Sequence, residues 1–402
     1  VLTYNRTLEG YIKELAKEQV PSDPRLYLEV STFAKWARRL VGSVDVLDRD
    51  QVTSRLRRDL LAVTGRDASV DFFVDEVEYA LGRYLPSNLT EYLTRERTGR
   101  GISPRVDTAL RRRLLDDVIK PYQDSKSSSG VIDWNDLALA AADLASEEYD
   151  VVIVDEAQDF SANQVRAILG HLADEHSTTF VLDAVQRIYP RAFTWIEVGI
   201  NLRPNMIYKL TENHRNTSEV AAFARALVED LPVDDDGSLP DFSACRHSGV
   251  RPKVVVGTYA KQLAYMLEEL GRTAEGEEST AILQPRGGGW FDYARSTLRQ
   301  RGIPFCELTR ESRWPTGPEQ VALSTIPSAK GLEFDHVLLP GLNQQVTPHG
   351  DGEGDANLDR LRRLLAMGAG RARKSVMVGY KPGEESTLVH LLDPSTFDVV
   401  KV

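Results

Sequence analysis

The residues best equipped for chemistry stand together at 151–159, Val-Val-Ile-Val-Asp-Glu-Ala-Gln-Asp. Four apolar β-branched residues run straight into an acidic turn. Such a run, closed by a turn, suits a strand buried on both faces of a parallel α/β sheet. It would deliver its carboxylates to the C-terminal edge of the sheet, where open α/β sheets bind ligands. Val165, Ile168, Leu169 and Leu172 then recur at helical spacing, so strand, acidic loop and amphipathic helix are expected in order. An apolar strand followed by Asp-Glu is the Walker-B arrangement. Asp155 would hold Mg²⁺, and Glu156 would orient or deprotonate the water that attacks a γ-phosphate. Alone, the same residues also read as an acidic helix N-cap, so their company decides.

That company is a long α/β alternation. Val1 to Asn5 reads as a strand, followed by a helix from about Thr7 to Lys17; Leu26 to Val30 reads as the next strand, ended by Ser31-Thr32-Phe33. Residues 46–129 turn helical, with Val52, Leu56, Leu60 and Val63 on one face and Leu110, Leu114 and Val118 on another. Ser125 to Gly130 reads as a Ser-rich linker, and Ile132 to Leu137 starts a helix leading back to the acidic strand. Phe180 to Asp183 and Ile207 to Leu210 are the next apolar runs, and Asn213 to Thr217 lies at a strand-to-helix boundary. Further strands are expected at Lys253–Val256, Ala281–Leu283, Val321–Thr325, His336–Leu339 and Val376–Tyr380, with Gly-rich loops at 287–289 and 349–354.

The 402 residues exceed one ordinary domain, and 42% hydrophobic with 27% charged content describes a globular protein. No apolar run reaches the ~18 residues of a membrane span, and no signal-peptide pattern opens the chain. Two cysteines, Cys245 and Cys306, give no disulfide framework and no thiolate-rich metal site, so a reducing cytoplasm is expected. A net charge of −11 argues against a nucleic-acid-coated protein but permits a local basic track, and Arg95 to Lys120 carries such a bias.

Singly these stretches are weak; their order is specific. Asp155 to Asp159, Gln186-Arg187-Ile188-Tyr189, Asn213-His214-Arg215-Asn216, Ser328-Ala329-Lys330-Gly331-Leu332-Glu333-Phe334, and Arg362 to Leu365 through Arg371-Ala372-Arg373 resemble motifs II to VI of the superfamily 1A helicases of the UvrD/Rep type. Val1 to Asn5 is similar to motif Ia and Ser31 to Phe33 to motif Ib, so the resemblance covers nearly the whole chain. It implies two RecA-like parallel-sheet domains, the P-loop NTPase helicase core, with a helical insertion in the first. The expected division is 1–46 with 130–204 (domain 1A), 47–129 (insertion 1B) and 205–402 (domain 2A).

The resemblance also assigns roles. ATP and Mg²⁺ are the implied cofactors, with Asp155 on the metal, Glu156 on the water and Gln186 on the γ-phosphate. Arg215 and Arg371 would reach the terminal phosphates; a guanidinium fork matches phosphate oxygens, and such fingers contribute about 10³–10⁵ in rate in related phosphoryl transfers. Gly331, Glu333 and Arg373 belong with the nucleotide. For single-stranded or partly duplex DNA, Tyr4, Phe33, Tyr189, Phe193 and Trp195 are the aromatic candidates and Asn5, Thr32, Arg191 and Thr325 the backbone contacts. The implied activity is ATP-driven 3′-to-5′ translocation on single-stranded DNA, with unwinding. The alternative is a non-catalytic, helicase-shaped DNA-binding or scaffolding subunit of a repair or defence complex, with a nuclease among the partners to expect.

The chain departs from the pattern in places. Pro327 stands where motif V usually has histidine, Gly370 replaces a threonine in motif VI, and Pro190 to Trp195 leaves the motif III register open. About 110 residues separate motifs IV and V, too few for a large 2B insertion. Nothing matches the phosphate-cradling Gly-x-x-x-x-Gly-Lys-Ser/Thr loop. The expectation is a loop lying upstream of Val1, with natural loss of the loop as its rival. In either case this polypeptide should hydrolyse ATP slowly.

Overall fold

The structure is a computed structural model describing residues 1–19, 25–65, 69–97, 105–144, 148–182, 193–208, 213–231, 245–273, 278–286, 289–309, 314–315, 317–350 and 355–402. Its strands, in chain order, are β1 Leu2–Thr3, β2 Ser31–Thr32, β3 Tyr149–Val154, β4 Leu172–Phe180, β5 Asn213–Thr217, β6 Cys245–His247, β7 Lys253–Val256, β8 Thr280–Gln284, β9 Phe305–Glu307, β10 Val321–Thr325, β11 Phe334–Leu339, β12 Ala372–Tyr380 and β13 Asp398–Lys401. They form a four-stranded parallel sheet, β2-β1-β3-β4, a seven-stranded parallel sheet, β13-β7-β12-β11-β8-β10-β9, and a separate β5-β6 pair. This is the α/β class that the alternating pattern predicts, with the helices of residues 49–129 inserted between β2 and β3.

The second sheet is covered on both faces. One side packs on the helices Ser218–Ala226 and Ala356–Ala369, through Phe223, Leu365 and Met367. The other packs on Tyr259–Thr273 and Gly289–Gln300, through Leu263, Met266 and Leu298. The inserted helices enclose a core of their own, from Leu47 and Leu56 to Tyr122. A parallel bridge between Val46 and Ile132, with Leu47 N–H donating to the Ile132 carbonyl at 2.8 Å, closes the insertion at its root.

The first sheet differs from expectation. Val152 and Val154 are 5% and 0% exposed, but Val151 and Ile153 are 63% and 39% exposed. Their neighbours across the β3–β4 ladder, Ser177 and Thr179, are also exposed. The acidic strand is therefore buried on one face, not two. That also explains why β4 lies at Leu172–Phe180 instead of Phe180–Asp183: an edge strand with an open face can be polar, and Ala-Asp-Glu-His-Ser-Thr-Thr has no apolar run to reveal it.

Other expectations are corrected too. Leu26 to Val30 is not a strand; Leu26, Tyr27 and Leu28 are exposed, and only Ser31–Thr32 pairs with β1. Ser125 to Ser129 is no linker but the end of the helix Lys120–Ser129, whose serine hydroxyls at 127, 128 and 129 donate back to carbonyls four residues earlier. Leu172 begins β4 rather than ending the preceding helix, which runs Ala162–Leu169 behind a Ser161/Gln164 capping box.

Candidate nucleotide and nucleic-acid site

The acidic turn sits where the sequence places it, just beyond β3. Its backbone is held from both sides, Asp155 N–H donating to the Leu2 carbonyl (2.9 Å) and Ala157 N–H to the Val181 carbonyl (2.8 Å). Between these anchors Glu156 adopts φ 55° and ψ 42°, the one non-glycine residue with positive φ among the described residues. Left-handed backbone at a carboxylate is disfavoured by roughly 1–3 kcal/mol and marks a position fixed by its surroundings. Asp155 Oδ1 accepts from Glu156 N–H at 2.9 Å. Burial first, and the Glu156 charge second, push the Asp155 carboxyl above the usual range, against the pull of Lys330 and Arg371.

The second half of the chain supplies cations to this edge. Lys330, 2% exposed, brings its Nζ to 2.6 Å from Asp159 Oδ2 and 3.1 Å from Glu156 Oε2. Burial alone would lower its proton affinity, but Asp159 and Glu156 outweigh burial and hold it above the ordinary lysine value. Gln158 Nε2 donates to the same Glu156 Oε2 at 2.6 Å. Three residues on, Glu333 takes Arg215 Nε on Oε1 (2.6 Å) and Arg373 Nη2 on Oε2 (3.0 Å). Burial pushes that carboxyl up, but Arg215 and then Arg373 carry it below the usual range. Arg371 is 2% exposed, donates to the Met367 and Leu332 carbonyls and is felt electrostatically at Asp155. Asn216 ties the Arg215 stretch to the Arg371 turn, its amide donating to the Gly370 (3.0 Å) and Ala372 (2.5 Å) carbonyls. Asp155, Glu156, Arg215, Gly331, Glu333, Arg371 and Arg373, drawn from four separate stretches, therefore gather along one seam.

The nucleic-acid candidates are more dispersed in character. Asn5 turns its amide to the carbonyls of Pro327 (3.0 Å) and Ser328 (3.1 Å), so it docks the loop after β10. Thr325, at the end of β10, accepts from Ser328 N–H and donates to the Ser328 hydroxyl. Thr32 is the N-cap of the helix Phe33–Val41, accepting from Lys35 N–H at 3.3 Å. Phe33 is 2% exposed, its ring against Trp36 and Phe160, with no face open to a base in this conformation. Tyr4 lies edge-on to Phe160 at 6.1 Å. Trp195 is half-buried, 4.9 Å from Phe180 and 5.7 Å from Phe193. Gln186, Tyr189 and Arg191 lie outside the described residues.

Residues 33–192 match the UvrD/REP helicase N-terminal domain, and residues 306–382 match the UvrD-like helicase C-terminal domain. The chain belongs to the UvrD-like helicases. It is 22% identical, over 57% of its length, to the exonuclease/helicase subunit RexA of Lactococcus lactis subsp. cremoris (strain MG1363), covering 19% of that protein. Over 64% of its length it is 22% identical to a probable DNA helicase of Mycoplasma pneumoniae, covering 50% of it. Over 14% it is 38% identical to the ATP-dependent DNA helicase Rep of Escherichia coli (strain K12), covering 9%. The chain thus spans half or less of the length of these curated relatives.

The UvrD-like assignment makes ATP and a divalent metal the groups to test against the site. Among the described residues no cluster of three or more His, Cys, Asp or Glu side chains converges as a metal cage. Magnesium is held by one or two carboxylates when phosphate oxygens and water complete its shell, and Asp155, half-buried just beyond the acidic strand, fits. The Glu333–Arg215–Arg373 cluster fits a polyanion beside it. Inspection of the sequence missed two features: Lys330, which lies inside the motif V stretch but was given no role, and Asn5 as a loop dock. Both depend on which loops meet in space, and only the Lys-Gly pair itself hinted at a close approach.

Proposed function

We propose that this chain is the motor core of a DNA helicase, driven by ATP and moving 3′ to 5′ on single-stranded DNA. The observation that carries the proposal is the seam itself: the acidic turn of the first sheet faces Lys330, Arg371 and the Arg215–Glu333–Arg373 cluster of the second half. Residues 1–46 with 130–204 would form one lobe, 47–129 its insertion and 205–402 the other lobe. Bound Mg²⁺–ATP would supply the γ-phosphate and the metal that neutralises it. Asp155 would hold the metal, and Glu156 would orient the attacking water by accepting a hydrogen bond from it and then take its proton. Gln186 senses the γ-phosphate. Arg215 and Arg371, both carried by the second lobe, stabilise charge on the transferring group only when the lobes are together, which links hydrolysis to lobe motion. Gly331 allows close backbone approach, while Glu333 and Arg373 line the nucleotide.

Trp195 and Phe193, with Tyr189, supply the base-stacking surface; Tyr4 and Phe33 support it from the core, and Thr32, Arg191 and Thr325 meet the sugar-phosphate chain, with Asn5 holding the loop that follows Thr325. Among the described residues no helix is long and apolar enough to cross a membrane, and a cytoplasmic setting goes with this reading. The name of the RexA relative, an exonuclease/helicase subunit, supports a nuclease as partner, within a repair or defence complex on this reading. The rival reading, a DNA-binding scaffold without turnover, draws on the absence of a Gly-x-x-x-x-Gly-Lys-Ser/Thr loop from these 402 residues; for the same reason turnover by this chain alone is expected to be slow. Steady-state ATP hydrolysis with and without single-stranded DNA separates the two. DNA-stimulated turnover that Glu156→Gln abolishes, with DNA affinity unchanged, supports the motor; turnover undiminished by Glu156→Gln overturns the assignment.

A further inference from the structure

Lys330, as deeply buried as Arg371 at 2% exposed, has no part in the scheme above. It sits in a loop, 326–333, that the first half of the chain grips at several points. Asn5 Nδ2 donates to the carbonyls of Pro327, Ser328 and, at 3.5 Å, Lys330 itself, while its Oδ1 is fixed by Thr7 N–H at 2.8 Å. Thr7 Oγ1 donates to the Leu308 carbonyl beneath the loop. Gly331, at φ +80°, lies so close to Leu8 that a Cβ there would meet Leu8 Cδ2 at 2.6 Å. From this dock the Lys330 side chain crosses to the acidic turn and ends between Asp159 and Glu156.

The result is unusual for Glu156. Its backbone is held in a left-handed conformation, and one carboxylate oxygen receives two donors: Gln158 from its own turn and Lys330 from the opposite half. A surface ion pair adds little and fixes little, but a desolvated ammonium on a carboxylate is strong and directional. The same loop follows Thr325, which bonds Ser328 within it and which the reading above gives to the DNA backbone.

We propose that Lys330 is a positioning residue for Glu156. The ammonium carried by the second half orients the water-activating carboxylate, and it does so only while the 326–333 loop is docked on Asn5 and Leu8. Loop docking, and with it any strand held at Thr325, is thereby tied to the competence of Glu156. The inference rests on the role given to Glu156 above.

The test compares Asp159→Asn with Lys330→Met/Asp159→Asn, since Lys330→Met alone strands the buried Asp159 carboxylate and can fail to fold. The first readout is amide hydrogen exchange over residues 156–160, which needs no turnover. Exchange is expected to rise about tenfold or more in the double variant, at thermal midpoints within about 2 °C of each other. Unchanged protection overturns the proposal. The second is ATP hydrolysis with single-stranded DNA. Loss of orientation is expected to lower kcat by about 10²-fold with KM for ATP altered less than about threefold, and Lys330→Arg is expected to retain most of the rate. Equal kcat in the single and double variants means that Lys330 only balances charge, and overturns it. Absence of DNA-stimulated turnover in the unaltered chain sinks the motor reading instead, and hydrogen exchange still decides whether Lys330 holds the turn.

Discussion

One strand carries both the acidic turn and a sharp test of its own surroundings. Val151 and Val154 differ by three positions on β3, yet one is 63% exposed and the other 0%. Val→Thr at each changes the same atoms, keeps β-branching and leaves strand propensity nearly untouched. At Val154 the substitution buries a hydroxyl among Leu2, Val165 and Ile168. The loss of one methyl, about 0.8 kcal/mol, adds to about 1–3 kcal/mol for the hydroxyl. The expected cost is roughly 2–4 kcal/mol, a fall in thermal midpoint of about 5–15 °C. At Val151 the change should stay within about 0.5 kcal/mol. Urea unfolding followed by circular dichroism, with equal m-values across the set, gives the comparison. Binding of a hydrophobic dye should also drop in Val151→Thr/Ile153→Thr. If Val151→Thr costs more than about 1.5 kcal/mol, the open face is covered in solution and the exposure argument fails; a midpoint that rises with protein concentration would identify a second copy as the cover.

Three further outcomes follow from the seam. Asp155 has a carboxyl pushed above its unfolded value, so its charged form opposes folding at neutral pH and the penalty fades as pH falls through that raised value; Asp155→Asn should raise the thermal midpoint at pH 7–8 relative to the unaltered chain, with the gap gone below about pH 4, while turnover is lost. Glu333 is shifted the other way, so its stabilisation is full above the ordinary carboxylate range and lost as pH falls through the lowered value; Glu333→Gln should weaken nucleotide binding and lower the midpoint at pH 7 by an amount worth under about 1 kcal/mol, because Arg215 and Arg373 stay partly exposed, with the difference gone only once pH has fallen below that lowered value. Gly331→Ala should cost roughly 1–2 kcal/mol from the left-handed backbone alone and more from Leu8, and Leu8→Ala/Gly331→Ala should cost less than the sum of the single changes; strict additivity in denaturant titrations would mean that the loop and Leu8 do not touch.

What could be read in advance follows from burial. Thr280–Gln284 is buried at every position, so an unbroken apolar run announced β8, and Val321 to Leu323 and Val337 to Leu339 did the same for β10 and β11. The sequence signal fails where burial is one-sided or borrowed. β4 has an open face and no apolar run. The serine-rich end of the helix Lys120–Ser129 looks like a linker because its helicity comes from packing of Tyr122 and Lys126, the latter bound to Asp133, and not from propensity.

The site divides along the same line. Asp155 and Glu156 were legible because the strand delivers them locally, whereas the meeting of Arg215, Glu333 and Arg373, or of Lys330 and Asp159 across 171 positions of sequence, depends on which loops the fold brings together. The aromatic candidates show the limit most clearly. Tyr4, Phe33, Phe193 and Trp195 all follow strand-like or motif-like stretches, and residue type cannot separate a base platform from a core ring, since both need a large flat apolar surface. Exposure separates them: Phe33 is enclosed by Trp36 and Phe160, while Trp195 sits half-buried on Phe180. Stacking contributes roughly 1–3 kcal/mol per base, so Trp195→Ala should weaken single-strand binding by about tenfold to a hundredfold. Phe33→Leu should leave it within about threefold and act on stability instead. Fluorescence anisotropy with a labelled oligonucleotide measures both, and a larger loss of affinity for Phe33→Leu than for Trp195→Ala would reverse the assignment of platform and support.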